Sequence, residues 1–150
     1  MRVVIQRVSK ASVTIDSKIT GSIRQGYLIL LGIETEDTLE DGDWLCKKIG
    51  ALRVFADIEG KMNLSVVDID GECLIISQFT LHAGTRKGNR PSFIKAARPE
   101  QAIPLYESFI SGIQKVISKP VQTGEFGADM KVALINDGPV TIIIDSKLRE

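Results

Sequence analysis

The stretch Gly26-Tyr27-Leu28-Ile29-Leu30-Leu31-Gly32-Ile33 decides the fold. From Tyr27 it is continuously apolar, which predicts a strand buried on both faces rather than one half-open to water. Upstream, Lys18 to Ile23 predicts a short third strand. Val3 to Val8 and Ser12 to Ile15 show partial alternation around a polar break, the pattern of an antiparallel pair. Downstream comes the acidic run Glu34, Glu36, Asp37, Glu40, Asp41 and Asp43. Carboxylates there suit a helix N-terminus, whose dipole favours negative charge; a metal or a basic partner is the alternative. Thr38 with Asp41 three residues on resembles a capping box with Asp in place of Glu or Gln. Leu45, Ile49 and Leu52 follow at helical spacing, so a helix is predicted over 38–50.

Beyond it, Arg53 to Ala56 and Glu72 to Ser77 predict strands, with a polar Gly60/Asn63 segment and a Gly71 turn between them. Pro99 suits a helix start, and Ile103, Tyr106, Ile110, Ile113 and Ile117 repeat at 3,4,3,4, predicting an amphipathic helix over about 100–118. Pro104 either kinks that helix or marks its beginning. Lys131 to Asn136 and Val140 to Ile144 predict a closing strand pair around Asp137-Gly138-Pro139. Strands interrupted by two helices without regular alternation predict an α+β fold.

The 150 residues are 43% hydrophobic and 25% charged, the composition of one globular domain. Nineteen basic residues balance nineteen acidic ones, which argues against gripping nucleic acid by bulk charge but leaves room for a local basic patch. Apolar runs stop at four or five residues, far short of a bilayer span. Arg2 and Arg7 interrupt the N-terminal segment too early for a signal peptide. Cys46 and Cys73 have no metal-like spacing and read as buried hydrophobes of a reducing compartment, so a cytoplasmic location is expected.

Four segments stand out chemically. Ser77-Gln78-Phe79-Thr80-Leu81 follows a buried strand, where backbone N–H groups become free to bind a substrate oxygen; an ordinary strand continuation is the plain alternative. The stretch from His82 to Arg98 holds Arg86, Lys87, Arg90, Lys95 and Arg98 with no acidic residue, and its Gly and Pro residues predict a loop able to meet phosphates; an ordinary solvated loop is the alternative. Asn136 to Thr141 reads as a turn. Thr123 to Met130 carries two glycines that permit close approach to a ligand; a plain loop before a strand is the equal alternative. The single histidine, His82, lacks a nucleophile motif beside it and reads as surface or structural. Zinc, P-loop and dinucleotide motifs are absent, so neither a metal nor a cofactor is expected, and an enzyme here would work without a standard side-chain nucleophile.

Taken in order, these segments resemble the D-aminoacyl-tRNA deacylase family. The resemblance runs from Gln6-Arg7-Val8 and Ala11-Ser12-Val13 through Leu52-Arg53-Val54-Phe55 and Lys61-Met62-Asn63-Leu64-Ser65. It continues with Ser77-Gln78-Phe79-Thr80-Leu81, Arg86-Lys87-Gly88-Asn89-Arg90-Pro91-Ser92-Phe93 and Leu105-Tyr106-Glu107. It closes with Thr123 to Met130 and Asn136 to Thr141. It implies a single compact domain over 1–150, with mainly antiparallel or mixed sheets forming a barrel-like core. The implied activity is hydrolysis of the ester between a D-amino acid and tRNA, with glycyl-tRNA also accepted, by a cytoplasmic homodimer.

The resemblance further implies that Ser77, Gln78, Phe79 and Thr80 line the active site. Gly138 and Pro139, joined by a cis bond, would enter the partner subunit's pocket and exclude L-aminoacyl groups. Phe126, Gly127, Ala128 and Met130 would lie near the pocket, and Arg7 would brace the Gly–Pro loop. Arg86, Lys87 and Arg90 would bind tRNA. Family members vary at the position of His82, which counts against catalysis by it. An aminoacyl ester is already activated, so backbone N–H groups near Phe79 and Thr80 and the neighbouring ribose 2′-hydroxyl are expected to carry the reaction. Thr80 as a nucleophile is the alternative, without a visible base. A non-catalytic tRNA-binding module and a structural dimerisation protein are the rival functions; a general esterase lacks its Gly-x-Ser-x-Gly elbow.

Overall fold

The computed structural model describes residues 1–149. β1 (Arg2–Ile15) is one fourteen-residue strand rather than the two segments expected from its polar break. It stays whole because β8 (Lys131–Asp145) pairs antiparallel with nearly its entire length, bridging the polar residues at the centre. Along its other edge β1 meets two strands in succession. β2 (Lys18–Ile23) returns from a two-residue turn at Asp16 and Ser17, both in the left-handed region, and pairs with Ala11 to Ile15. β3 (Gly26–Gly32) pairs with Arg2 to Val8.

From β3 the chain crosses over through α1 (Leu39–Ala51) and the small hairpin of β4 (Phe55–Ala56) and β5 (Met62–Leu64). It then adds β6 (Glu72–Ser77) parallel to β3. Thr38 caps α1 as expected: Asp41 Oδ2 accepts from the Thr38 N–H at 2.9 Å and from its hydroxyl at 3.2 Å. β4 is shorter than the strand expected from Arg53. The Val54 carbonyl is taken by the Arg7 guanidinium and not by a ladder, and Arg53 reaches β5 through its side chain, whose Nε donates to the Asn63 carbonyl at 2.8 Å.

A second crossover holds a 3₁₀ turn (Phe79–His82) and α2 (Pro99–Ile117) before β7 (Gln122–Thr123) joins β6 in parallel. α2 begins at Pro99 and runs through Pro104. Its buried stripe is Ala102, Leu105, Tyr106, Phe109, Ile113 and Ile117, so Leu105 and Phe109 hold positions that the isoleucine repeat had assigned to Ile103 and Ile110. β7 closes against β2 at Gly21, where a Cβ would stand 2.9 Å from the Thr123 carbonyl oxygen.

The result is a nearly closed, barrel-like sheet of α+β architecture. One core lies between the sheet and the two helices, around Ile5, Tyr27, Ile29, Leu45, Ile75 and Phe109. A second, with Val8, Val13, Leu28, Leu74 and Ile76, fills the other face. The apolar run that begins at Tyr27 is buried as expected, contributing alternate residues to the two cores. Cys46 and Cys73 are buried and unpaired, and burial pushes both thiols up to about 12. No helix among the described residues is long and apolar enough to cross a membrane.

Candidate active site

β6 delivers Ser77 to the rim of the sheet, and Gln78 then leaves the strand with its N–H donated to the Leu31 carbonyl at 2.7 Å. The chain turns at once into the 3₁₀ helix. The N–H groups at a helix start have no intrahelical acceptor, and neither the Phe79 nor the Thr80 amide has a backbone partner among the described residues. The turn packs flush on β3 because Gly32 has no side chain. A Cβ there would stand 2.9 Å from Leu81 Cβ and 3.0 Å from the Gln78 carbonyl oxygen.

Ser77, Gln78 and Phe79 form one side of a pocket of about 210 Å³. Phe126, Gly127, Ala128 and Met130 line another side, so the structure brings these two sequence segments together. The remaining wall is aliphatic, from Leu31, Ile33, Ile76, Ala97, Ala102 and Val132. Those residues were invisible as site residues in the sequence, since core-forming side chains carry no chemical signature. Gly127 lies at φ +80°, a conformation open to glycine at low cost, which turns the loop at the pocket edge. Phe126 packs on Tyr106 of α2 at 5.8 Å between centroids, and Tyr106 donates to the Ile75 carbonyl at 3.1 Å. Helix, strand and loop are thus tied together behind the pocket.

Thr80 does not line the pocket. Its hydroxyl accepts from Gln78 Nε2 at 2.5 Å, and no basic side chain among the described residues bonds to it. Phe79 is 54% exposed and meets Phe93 edge-on at 5.0 Å. That contact connects the turn to the basic loop. Gly84 and Ser92 close the loop by exchanging backbone hydrogen bonds at 2.7 and 2.9 Å, leaving Arg86, Lys87 and Arg90 exposed on it. None of the three is in an ion pair among the described residues.

Gly138 and Pro139 lie away from this pocket, exposed, and are joined by a cis peptide. The expected hairpin around them is absent. Both halves of β8 pair with β1 rather than with each other, and Asp137 to Val140 bulge out between the pairs Val8↔Asn136 and Gln6↔Thr141. Asn136 closes the base of the bulge, donating to Thr141 Oγ1 at 2.9 Å and accepting the Val140 N–H at 3.0 Å. Arg7 stands opposite. Its Nε donates to the Asp137 carbonyl at 2.9 Å while Nη1 reaches the Val54 carbonyl at 2.5 Å. Gly138, at φ +133°, is the residue this bulge requires, because residues with a side chain rarely adopt that conformation and a Cβ would also stand 3.1 Å from the Val140 backbone nitrogen.

His82, the last residue of the turn, is buried, the structural of its two expected placements, with Nε2 unpartnered and Nδ1 4.0 Å from Glu34 Oε2. The acidic run is structural in part. Asp37 pairs with the buried Met1 ammonium, and Asp41 takes Lys147 at 2.9 Å.

A family model described as D-Tyr-tRNA(Tyr) deacylase matches residues 4–145. Relatives called D-aminoacyl-tRNA deacylase include one from Flavobacterium psychrophilum, 65% identical over 150 residues, and one from Bacteroides fragilis, 62% identical over 150 residues; each alignment covers 100% of both chains. Among solved structures, one described as c-Myc DNA Unwinding Element Binding Protein superposes with a TM-score of 0.90 at 42% identity, covering 97% of this chain and 98% of that one. Another, described as a probable eukaryotic D-amino acid tRNA deacylase, shares the fold at a TM-score of 0.80 and 16% identity, over 95% of this chain and 97% of that one.

Proposed function

The chain belongs to the D-Tyr-tRNA(Tyr) deacylase family, and we propose that it hydrolyses the ester between a D-amino acid and tRNA at the pocket formed by Ser77, Gln78, Phe79 and the Phe126–Met130 segment. The observation that carries this reading is the 3₁₀ turn at the pocket rim, with two backbone amides free of backbone partners. An acyl carbonyl seated there would find donors for the oxyanion that forms when water adds to it, the largest single contribution in many acyl transfers. The tetrahedral intermediate then releases the ribose oxygen, which takes up a proton, and the free amino acid departs with the added hydroxyl. Thr80 is a poor candidate for nucleophile, since its hydroxyl is engaged by Gln78 and lacks a base. The 2′-hydroxyl beside the ester is the group nearest to the reacting carbonyl that can help water attack, and no cofactor is required.

Chiral selection belongs to Gly138 and Pro139 in this reading. Their carbonyls would take the α-amino group while the backbone blocks the side-chain direction of an L residue. Glycine has nothing to block, so glycyl-tRNA should be cleaved too. Within one chain the bulge and the catalytic turn are far apart. Neither Gly138 nor Pro139 lines the pocket, and the bulge is held by Arg7 while the turn is held by Arg2, anchored five residues, or about 17 Å of strand, away along β1. That distance supports a homodimer in which each bulge serves the partner's pocket. Arg86, Lys87 and Arg90, on the loop joined to the turn through Phe93, are placed to meet the tRNA backbone. Work on charged tRNA fits a cytoplasmic location.

The test is hydrolysis of D-tyrosyl-, L-tyrosyl- and glycyl-tRNA side by side, with a chelator present. Loss of the D and glycyl esters with the L ester spared is the expected result. Survival of all three would leave only a tRNA-binding module. Cleavage of the L ester would refute the role given to Gly138 and Pro139.

A further inference from the structure

The turn that carries the Phe79 and Thr80 amides is held from behind by the first strand. Arg2 Nη1 donates to the Leu81 carbonyl at 2.7 Å, while Nε and Nη2 both donate to Asp145 Oδ2, at 3.1 and 2.9 Å. Arg2 and Asp145 are register partners across β1 and β8, so the ladder itself delivers the carboxylate. Asp145 is fixed in turn by the Lys147 N–H on its Oδ1 at 2.9 Å. Burial pushes its carboxyl up, but the bonds from Lys147 and Arg2 outweigh that and hold it below the usual range. On its other side Arg2 is the register partner of Gly32, the residue on whose open face the turn rests. The ends of β1, β3 and β8 therefore converge under one turn.

The Leu81 carbonyl sits at the end of a four-residue 3₁₀ helix, where carbonyls lack intrahelical donors. Arg2 supplies the donor. A planar guanidinium can place two N–H groups on a carboxylate and a third on a carbonyl in one rigid geometry, which an ammonium cannot do.

We propose that Arg2, oriented by Asp145, is a positioning residue for hydrolysis: it sets the turn, and hence the Phe79 and Thr80 amides, without touching substrate. This rests on the reading of the turn as the oxyanion site. Misplacing a catalytic group by about 1 Å costs about 100-fold in rate. Releasing Leu81 from its clamp should therefore act on turnover rather than on tRNA affinity.

The experiment compares Arg2→Met, Arg2→Lys, Asp145→Asn and the Arg2→Met/Asp145→Asn pair with the unaltered protein. It measures kcat and KM on D-tyrosyl-tRNA well below each variant's melting midpoint. Arg2→Met should lower kcat about 10- to 100-fold with KM within about twofold. Arg2→Lys should recover part of the loss, and the double variant should be no worse than Arg2→Met, since both changes break one link. Unchanged kcat in Arg2→Met, or a loss expressed in KM, would overturn the proposal. If Arg2→Met does not fold, full kcat in both Arg2→Lys and Asp145→Asn overturns it equally, and reduced kcat in both supports it. An unaltered protein inert toward D-tyrosyl-tRNA would instead refute the assigned reaction.

Discussion

Gly32→Ala offers a steric test of the role proposed for the 3₁₀ turn. A Cβ at position 32 would lie 2.9 Å from Leu81 Cβ, 3.0 Å from the Gln78 carbonyl oxygen and 3.0 Å from His82 Cδ2. Ordinary carbon contacts begin near about 3.5 Å, so the turn must retreat by about 0.6 Å. All three atoms belong to the same short segment, and one of them is backbone, so no single rotamer change relieves the overlap. Overpacking of this kind costs about 1–3 kcal/mol. A shift of that size under the Phe79 and Thr80 amides should lower kcat by about tenfold or more. The control is Gly42→Ala in α1, where the nearest atoms, Met1 Sδ and Cε, lie at an ordinary 3.8 Å. There, replacing a helical glycine should stabilise by about 0.5–1 kcal/mol and leave turnover alone. Single-turnover hydrolysis of D-tyrosyl-tRNA and urea denaturation read both quantities. A Gly32→Ala protein with unaltered kcat would show that the turn's position does not govern the chemistry.

Asp37→Asn removes the negative charge facing the buried Met1 ammonium, leaving it only neutral acceptors such as Ser146 Oγ at 2.9 Å; a loss of about 3–5 kcal/mol is expected in urea denaturation, and a loss under 1 kcal/mol would contradict it. Burial raises the Asp41 carboxyl, but hydrogen bonds from Lys147, Thr38 and Ser146 outweigh it and hold the group well below the usual range. Such a carboxyl contributes stability above its unfolded pKa of about 3.9 and loses it as pH falls through that value toward the lower folded one. Asp41→Asn should therefore flatten the decline in stability below about pH 4; urea midpoints with the same pH slope in both proteins would rule this out. Replacing Arg86, Lys87 and Arg90 together with Gln should raise KM and reduce the salt dependence of log(kcat/KM) by roughly 2 to 3, with kcat preserved. An unchanged salt slope would remove this loop from the tRNA interface.

The elements legible from sequence are those whose signal is local. The buried run from Tyr27, the Thr38–Asp41 cap, the strand before Ser77 and the Pro99 helix start all rest on periodicity or on contacts three or four residues apart. What local reading misses is settled by partners distant in sequence. β1 looks broken at Ser9 and Lys10, yet β8 keeps it whole from over a hundred residues away. Asp137-Gly138-Pro139 has the composition of a hairpin turn, yet Arg7 and the β1 ladder make it a bulge within one strand. The polar pocket rim at Ser77 to Phe79 and the Phe126 to Met130 loop could be read from the chain through family resemblance. The aliphatic wall, including Ala97 and Ala102, could not, because nothing distinguishes such residues from core until a cavity opens beside them. Likewise, Arg2 carries no motif; its role appears only once Leu81 and Asp145 are brought to it.

The long pairing of β1 with β8 also shapes how the molecule is made. These strands join residues 2–14 to residues 131–145, so their contacts have nearly the largest sequence separation the chain allows. Pairings of such high contact order form slowly, because the loop-closure entropy is spent before they return stabilisation. During synthesis β1 can pair with β2 and β3 early, but its other edge must wait until residues 131–145 have emerged. An unpaired fourteen-residue edge is a template for association with another chain in the meantime. The final strand thus does two jobs: it presents the Gly138–Pro139 bulge, and its arrival ends the period in which the nascent protein is most exposed to aggregation.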